Sequence, residues 1–382
     1  MDILLVFGTR PEAIKMAPVY RALREGPLSP IVAVTAQHRE MLDQVLELFQ
    51  IPVDYDLNIM REGQSLTQVT QLVLGGLAEV LEEVRPRLVL VHGDTTTTFA
   101  ASLAAFYQQI PVGHVEAGLR SYDPYNPYPE EMNRRLTASL AALHFCPTPL
   151  ARENLHRENI AGERIYVTGN TVIDALLSIV QEDYQFREPI LRSLNFAGRR
   201  VLVATAHRRE NWGAPLRDIL LALRDLADRF TDVEVVFAVH RNPRVREPAE
   251  AILGGAPRVR LVPPLPYREF ANLLARCHLV LTDSGGLQEE APALGKPVLV
   301  LREKTERPEG VAAGTVRLAG TRRETVFHEA ERLLADPKEY GKMARAVNPY
   351  GDGKAAARIH SALLHHFGLG ERPADFCPGE EG

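Results

Sequence analysis

Short unbroken apolar runs recur along the chain at 3–7, 31–35, 88–92, 112–116 and 142–146, separated by longer amphipathic stretches. A strand with one wet face alternates apolar and polar residues, whereas a strand covered on both faces does not. Runs of this kind between amphipathic segments predict parallel strands linked by helices. A second series repeats the pattern at 201–206, 233–239, 259–262, 278–282 and 297–301. The prediction is therefore an α/β protein with two doubly wound sheets. A last strand of the first series is expected at 164–167, with a hinge near Thr168 to Asn170. That sets the domains at 1–168 and 169–352.

Length agrees with this division, because 382 residues exceed the size at which one core keeps growing. With 45% hydrophobic and 24% charged residues the composition is that of an ordinary globular protein. A formal charge of -5 argues against nucleic acid or an anionic membrane as partner, so a phosphate ligand must be held by local groups. Cys146, Cys277 and Cys377 are far apart and form no CxxC pair, which suits a reducing cytoplasm and offers no metal framework. The apolar run at 3–7 is too short for a signal peptide or a membrane span, and no run of about twenty apolar residues occurs elsewhere. The tail at 371–382, with two prolines, two glycines and four acids, is expected to be disordered.

Candidate chemistry sits where strands end. Ser284-Gly285-Gly286-Leu287-Gln288-Glu289-Glu290 follows a buried strand and starts a helix. Its glycines allow close backbone approach, the free N–H groups of a first helical turn hold phosphate oxygens, and Ser284 adds a hydroxyl. Glu290, about a turn and a half on, is placed to accept from sugar hydroxyls. The same residues also fit a plain turn with Ser284 as N-cap. In Gly8-Thr9-Arg10-Pro11-Glu12-Ala13-Ile14-Lys15, proline opens a helix, Arg10 offers a fork for phosphate, and Lys15 adds a point charge or is merely solvated.

Asp94 follows the strand at 88–92, Glu116 ends the run at 112–116, and Glu130 follows a loop rich in proline and tyrosine. Asp94 could equally be an N-cap for the four threonines after it. If these carboxylates converge, their mutual repulsion raises at least one pKa, so that one acts as acid while another acts as base. That is what moving protons on and off carbon requires. A metal site is disfavoured, since strand alternation points His92 to the opposite face and no second acid follows Asp94 at ligand spacing. His207 leaves the first strand of the second series, where it can donate to a leaving diphosphate or be structural. Arg307 lies just past another strand, within reach of phosphate or sugar or else in a solvated loop.

Six segments together carry a family likeness: FGTRPEAIKMAP at 7–18, GDTTTTFA at 93–100, GHVEAGLRS at 113–121, PEEMNRRLT at 129–137, AHRRENWG at 206–213, and the long stretch from SGGLQEE to RPEG at 284–310. In order and spacing, from residue 3 to about 365, the chain resembles the non-hydrolysing UDP-N-acetylglucosamine 2-epimerases. The resemblance implies two Rossmann-like domains in a glycosyltransferase-B-like arrangement with the site in the cleft, and C-terminal helices at 353–370 returning to the first domain. It also implies a homodimer, no metal or redox cofactor, and interconversion of UDP-N-acetylglucosamine and UDP-N-acetylmannosamine through a 2-acetamidoglucal intermediate. Residue by residue, it makes Asp94, Glu116 and Glu130 the acid/base set and puts His207 near the diphosphate. Arg10, Ser284, Gly285 and Gly286 become phosphate ligands, Glu290 the ribose ligand, and Lys15 and Arg307 further cleft residues. It also puts Gln37 and His38 in a pocket for a second, activating UDP-N-acetylglucosamine, where an ordinary helix start is the plainer reading. Alternatives are a hydrolysing 2-epimerase releasing UDP and N-acetylmannosamine, a retaining UDP-sugar glycosyltransferase, and a non-catalytic nucleotide-sugar sensor.

Overall fold

The structure, a computed structural model, describes residues 1–35, 39–61 and 63–379, with the side chains of residues 39 and 40 excepted. It divides into two compact units, Met1–Leu177 with Tyr350–Gly382, and Ser178–Pro349. The first unit holds the parallel strands β1 (Asp2–Phe7), β2 (Ser29–Val34), β3 (Tyr55–Asp56), β4 (Leu88–His92), β5 (Val112–Val115), β6 (Leu143–Cys146) and β7 (Ile165–Val167). Their order is β3-β2-β1-β4-β5-β6-β7. In the second, β8 (Arg200–Thr205), β9 (Val233–Ala238), β10 (Val259–Val262), β11 (Leu279–Thr282), β12 (Val298–Val300) and β13 (Val316–Leu318) are ordered β10-β9-β8-β11-β12-β13. These are the two doubly wound sheets that the apolar runs predict.

Side-chain alternation explains why those runs are unbroken. Leu202, Ala204, Leu279 and Leu281 pack into one apolar cluster, while Val201, Val203 and Val280 pack into another on the opposite face. Both faces are dry, so apolar residues dominate both.

Chain order reverses between β1 and β4 in the first sheet and between β8 and β11 in the second. Loops leaving such a pair of strands diverge to opposite faces and leave a crevice beyond the carboxyl ends, which is where open α/β sheets bind ligands. The loops at 8–15 and 93–98 flank the first reversal. Those at 206–211 and 283–290 flank the second.

The first unit continues past the hinge expected near Thr168 to Asn170, as far as Leu177. Backbone and side-chain bonds account for the shift. Asn170 N donates to Tyr350 O at 2.6 Å. The Asp174 carboxylate accepts from Ala355 N at 3.2 Å and Ala356 N at 2.8 Å, capping the helix Ala355–His366. Burial pushes Asp174 up to about 6.

The tail corrects an expectation. Its composition suggests disorder, yet residues 372–376 lie along the edge strand β7. Phe376 N donates to Val167 O at 2.7 Å, and Asp375 accepts from Val167 N at 2.9 Å and from Arg152 Nη1 at 2.9 Å. The Arg372 guanidinium sits 4.1 Å over the Tyr166 ring, and Phe376 is buried. Composition counts acids and prolines, whereas one aromatic, one arginine and an open strand edge suffice to dock the segment.

Gly118 is needed for close approach. It has φ +87°, and a Cβ there would stand 2.2 Å from Ala151 O. Gly118→Ala is expected to lower unfolding free energy by about 3 kcal/mol. Urea denaturation checks this, and an unchanged midpoint would mean that the loop tolerates a side chain.

Candidate active site

In the first unit the loops after β1 and β4 are tied together by one buried acid. Glu12 Oε2 accepts from Gly8 N at 3.1 Å and Thr9 N at 2.8 Å, while Oε1 accepts from Thr95 Oγ1 at 2.7 Å and Thr98 Oγ1 at 3.2 Å. Burial raises the Glu12 pKa against these bonds. Both sides of the strand-order reversal are thereby held to one carboxyl group.

Asp94 and Glu116 stand on this platform. Asp94 Oδ2 accepts from Arg134 Nη2 at 2.6 Å, and Asn133 Nδ2 donates to Asp94 O at 3.0 Å. Both partners come from the helix Glu130–Leu140, whose first residue is Glu130. Burial raises the Asp94 pKa; Arg134 opposes the rise, and the charges of Glu116 and Glu130 add to it. Glu116 leaves β5 with φ +63° and turns its carboxylate back over the sheet edge. Lys15 Nζ and Asn170 Nδ2, the latter at 2.9 Å, both donate to Glu116 Oε2. The carboxylates named from sequence thus act on one another, and Lys15 is engaged by Glu116. Arg10 follows the N-cap at the start of the helix Arg10–Arg24 and makes no side-chain ion pair among the described residues.

His92 differs from expectation. Its Nε2 lies 3.9 Å from Glu116 Oε2, on the same side rather than the opposite one. Alternation holds only within a strand, and the left-handed backbone at Glu116 redirects the acid just beyond the strand end. Burial pushes His92 down to about 4, so the ring is neutral near pH 7. Among the described residues no group of three or more His, Cys, Asp or Glu could hold a metal ion.

In the second unit Ser284 occupies the N-cap position of the helix Gly285–Ala293, and its hydroxyl makes no capping hydrogen bond. The capping reading leaves that hydroxyl without a role. A Cβ on Gly285 would stand 3.8 Å from Arg208 Nη2 and 3.9 Å from Arg307 Nη2, so two guanidinium groups meet over the first helical turn. Positive side chains and free N–H groups there form a cradle for an anion. Arg307 Nε also donates to Glu289 Oε1. Glu290 is buried and accepts from Tyr267 Oη at 2.9 Å.

His207 is held from below. Asp283 is fully buried, and its Oδ2 accepts from His207 N and Arg208 N, both at 2.8 Å, and from Asn211 Nδ2 at 3.0 Å. Asp283 Oδ1 stands 3.1 Å from His207 Nδ1, slightly out of line with the ring N–H. Burial alone would raise the Asp283 pKa, but His207 and the loop N–H groups outweigh it and depress it. The imidazole stacks on His240, with ring centroids 5.7 Å apart.

Sequence reasoning did not single out Glu12, Arg134, Asn170 or Asp283. Thr9-x-x-Glu12 at a helix start is a capping-box signal, and Asp283 at the end of a dry strand is a buried charge that needs partners. Arg134 and Asn170 gave no signal of that kind. Gln37 and His38 lie outside the described residues.

A family model described as UDP-N-acetylglucosamine 2-epimerase matches residues 21–364. The UDP-N-acetylglucosamine 2-epimerase of Bacillus subtilis strain 168 is 52% identical over 381 residues, covering 100% of this chain and 99% of that protein. The enzyme of the same name from Escherichia coli K12 is 56% identical over 372 residues, 96% of this chain and 99% of its own length. Among solved structures, the Neisseria meningitidis UDP-GlcNAc 2-epimerase bound to UDP-GlcNAc superposes with a TM-score of 0.88 at 50% identity, covering 96% of this chain and 100% of that one. The two-sheet, glycosyltransferase-B-like fold is common to both.

Proposed function

The chain belongs to the UDP-N-acetylglucosamine 2-epimerase family, and we propose that it interconverts UDP-N-acetylglucosamine and UDP-N-acetylmannosamine without net hydrolysis. The observation that carries this reading is the pair of unlike carboxylates at the ends of β4 and β5. Asp94 has a raised pKa, and Glu116 beside it is ion-paired with Lys15. One suits a proton donor and the other a proton acceptor.

The C2 hydrogen of the sugar has no adjacent carbonyl to acidify it, so direct removal would leave an unstabilised carbanion. In the proposed path a carboxylate takes the C2 proton as the C1–O bond breaks. The C–H electron pair becomes the C1=C2 bond of 2-acetamidoglucal, and UDP leaves with the C–O pair. Protonation of C2 on the other face and return of UDP to C1 complete the inversion. Asp94 and Glu116, with Glu130, exchange these protons, and His207 stabilises the departing diphosphate. Ser284, Gly285, Gly286 and Arg10 hold phosphate, with Arg307 beside them, and Glu290 holds ribose. The solved Neisseria relative, bound to UDP-GlcNAc, supports the choice of ligand.

A homodimer is proposed on the apolar surface of the first unit, where Phe106 and Tyr107 are 55% and 67% exposed and Leu136 is 41% exposed. Among the described residues no helix is long and apolar enough to cross a membrane. The cytoplasm is the proposed compartment, with Cys146 and Cys277 as buried thiols.

Incubation with UDP-N-acetylglucosamine in D₂O tests the reaction. Deuterium at C2 of both recovered nucleotide sugars, without accumulation of UDP, is the expected result. Stoichiometric UDP release would show a hydrolase instead, and no C2 exchange together with UDP release only when an acceptor is added would show a transferase.

A further inference from the structure

At the other ends of the second sheet, where β8, β11 and β12 begin, a cavity of about 330 Å³ opens among Arg199, Arg200, Arg276, His278, Lys296 and Tyr340. Asp232 is the one acid in its lining, and Arg200 takes both carboxylate oxygens, through Nε at 2.7 Å and Nη2 at 2.9 Å. Arg199 stands 4.0 Å from Glu234, an acid that Arg260 already engages at 2.8 Å. Neither Arg276 nor Lys296 has an ion pair among the described residues.

Helix C-termini offset part of this positive charge. The helices Tyr267–Arg276, Gly285–Ala293 and Arg323–Ala335 finish at this edge, and Arg200 Nη1 donates to Leu334 O at 2.6 Å. Three helix ends at about half a negative charge each, with Asp232, leave an excess of one to two positive charges. Arg276 and His278 are also fixed in place. The Arg276 guanidinium lies 5.3 Å over Phe186 and 6.0 Å over Phe196, and its Nη2 donates to Glu182 O at 2.6 Å. His278 stacks on Tyr340 at 4.2 Å and 8°, and Tyr340 Oη donates to His278 O at 3.0 Å. An excess of cations around a cavity is a ready receptor for a compact anion, and where a guanidinium is already held, as at Arg276, little side-chain entropy remains to be lost.

We propose that this cavity is a second anion site, holding a phosphate group, free or carried on a nucleotide, between Arg199, Arg276 and Lys296. It is built from the second unit alone and stands independently of the nucleotide-sugar reading. His278 reports on it. Burial, with Arg200 and Lys296, pushes the imidazole down to about 4, and a bound anion offsets that positive field.

The experiment follows the His278 imidazole resonance of the full chain by NMR at pH 7, assigned by its loss in His278→Gln. Inorganic phosphate, UDP and chloride of matched ionic strength are added in separate titrations. Phosphate or UDP is expected to move the resonance saturably while chloride does not, and the arm that responds identifies the source of the phosphate group. Lys296→Gln and Arg199→Gln, each on the surface, are each expected to weaken that response at least about threefold. Turnover of UDP-N-acetylglucosamine should be unchanged in both. No saturable shift, an equal response to chloride, or an unchanged midpoint in both variants would overturn the proposal.

Discussion

Asp94→Asn is expected to lower kcat by at least about a thousandfold while leaving UDP affinity within about twofold of wild type. Asparagine keeps the shape, and its amide oxygen can still accept from Arg134, which now reaches Asp94 Oδ2 at 2.6 Å. The bond from Asn133 goes to the main-chain oxygen of residue 94 and is untouched. Only proton exchange is removed. Stability should move the other way. The fold raises the Asp94 pKa above 3.8, so the native protein disfavours its charge. That penalty is present above the folded pKa and vanishes as pH falls below the unfolded value. The variant should therefore unfold at pH 7 no earlier than wild type, with the difference closing as pH falls toward 3.8. Steady-state kinetics, UDP titration and thermal melts at several pH values check the three parts. Turnover within tenfold of wild type would remove Asp94 from the acid/base set, and loss of UDP binding would make it a ligand-holding residue instead.

What was legible in the sequence follows the range of the interactions involved. Unbroken apolar runs gave both sheets because strand burial is a local pattern repeated many times. Asp94, Glu116 and Ser284 were found because open α/β sheets put ligands at strand ends, so position along the chain stands in for position in space. The misses depend on distance in space. Arg134 meets Asp94 across forty residues, Asn170 meets Glu116 across more than fifty, and neither pair has a spacing to notice. Alternation puts His92 on the wrong side because Glu116, one residue past β5, has φ +63° and turns toward it. Composition misjudges residues 372–376 of the tail, which Arg372, Asp375 and Phe376 dock. Glu12 and Asp283 are a different case. Glu12 completes a capping box at a helix start, and Asp283 directly follows a dry strand as an acid that burial obliges to find partners.

Asp283→Asn should lower kcat by roughly a hundredfold or more and also destabilise the fold, because one carboxylate serves both the loop and the imidazole. Its Oδ2 accepts from His207 N, Arg208 N and Asn211 Nδ2. If the amide oxygen of asparagine keeps those donors, its NH₂ group must face His207 Nδ1, where Asp283 Oδ1 now lies at 3.1 Å. The imidazole would then carry its hydrogen on Nε2 rather than Nδ1. If the amide turns the other way, its NH₂ meets three donors and the loop loses its anchor. In wild type the depressed Asp283 pKa contributes stability above 3.8 that is lost as pH falls through the lower folded value. The variant should accordingly be less stable at pH 7 and lose less between pH 5 and pH 2. Two readouts separate positioning from mere support. The ¹⁵N shifts of His207 should report the change of tautomer. The activity lost through Asp283→Asn should largely disappear in a His207→Gln background, since a group that acts through the imidazole cannot be lost twice. Equal losses in both backgrounds would make Asp283 a structural anchor only, and His207 would then owe its orientation to its stack on His240.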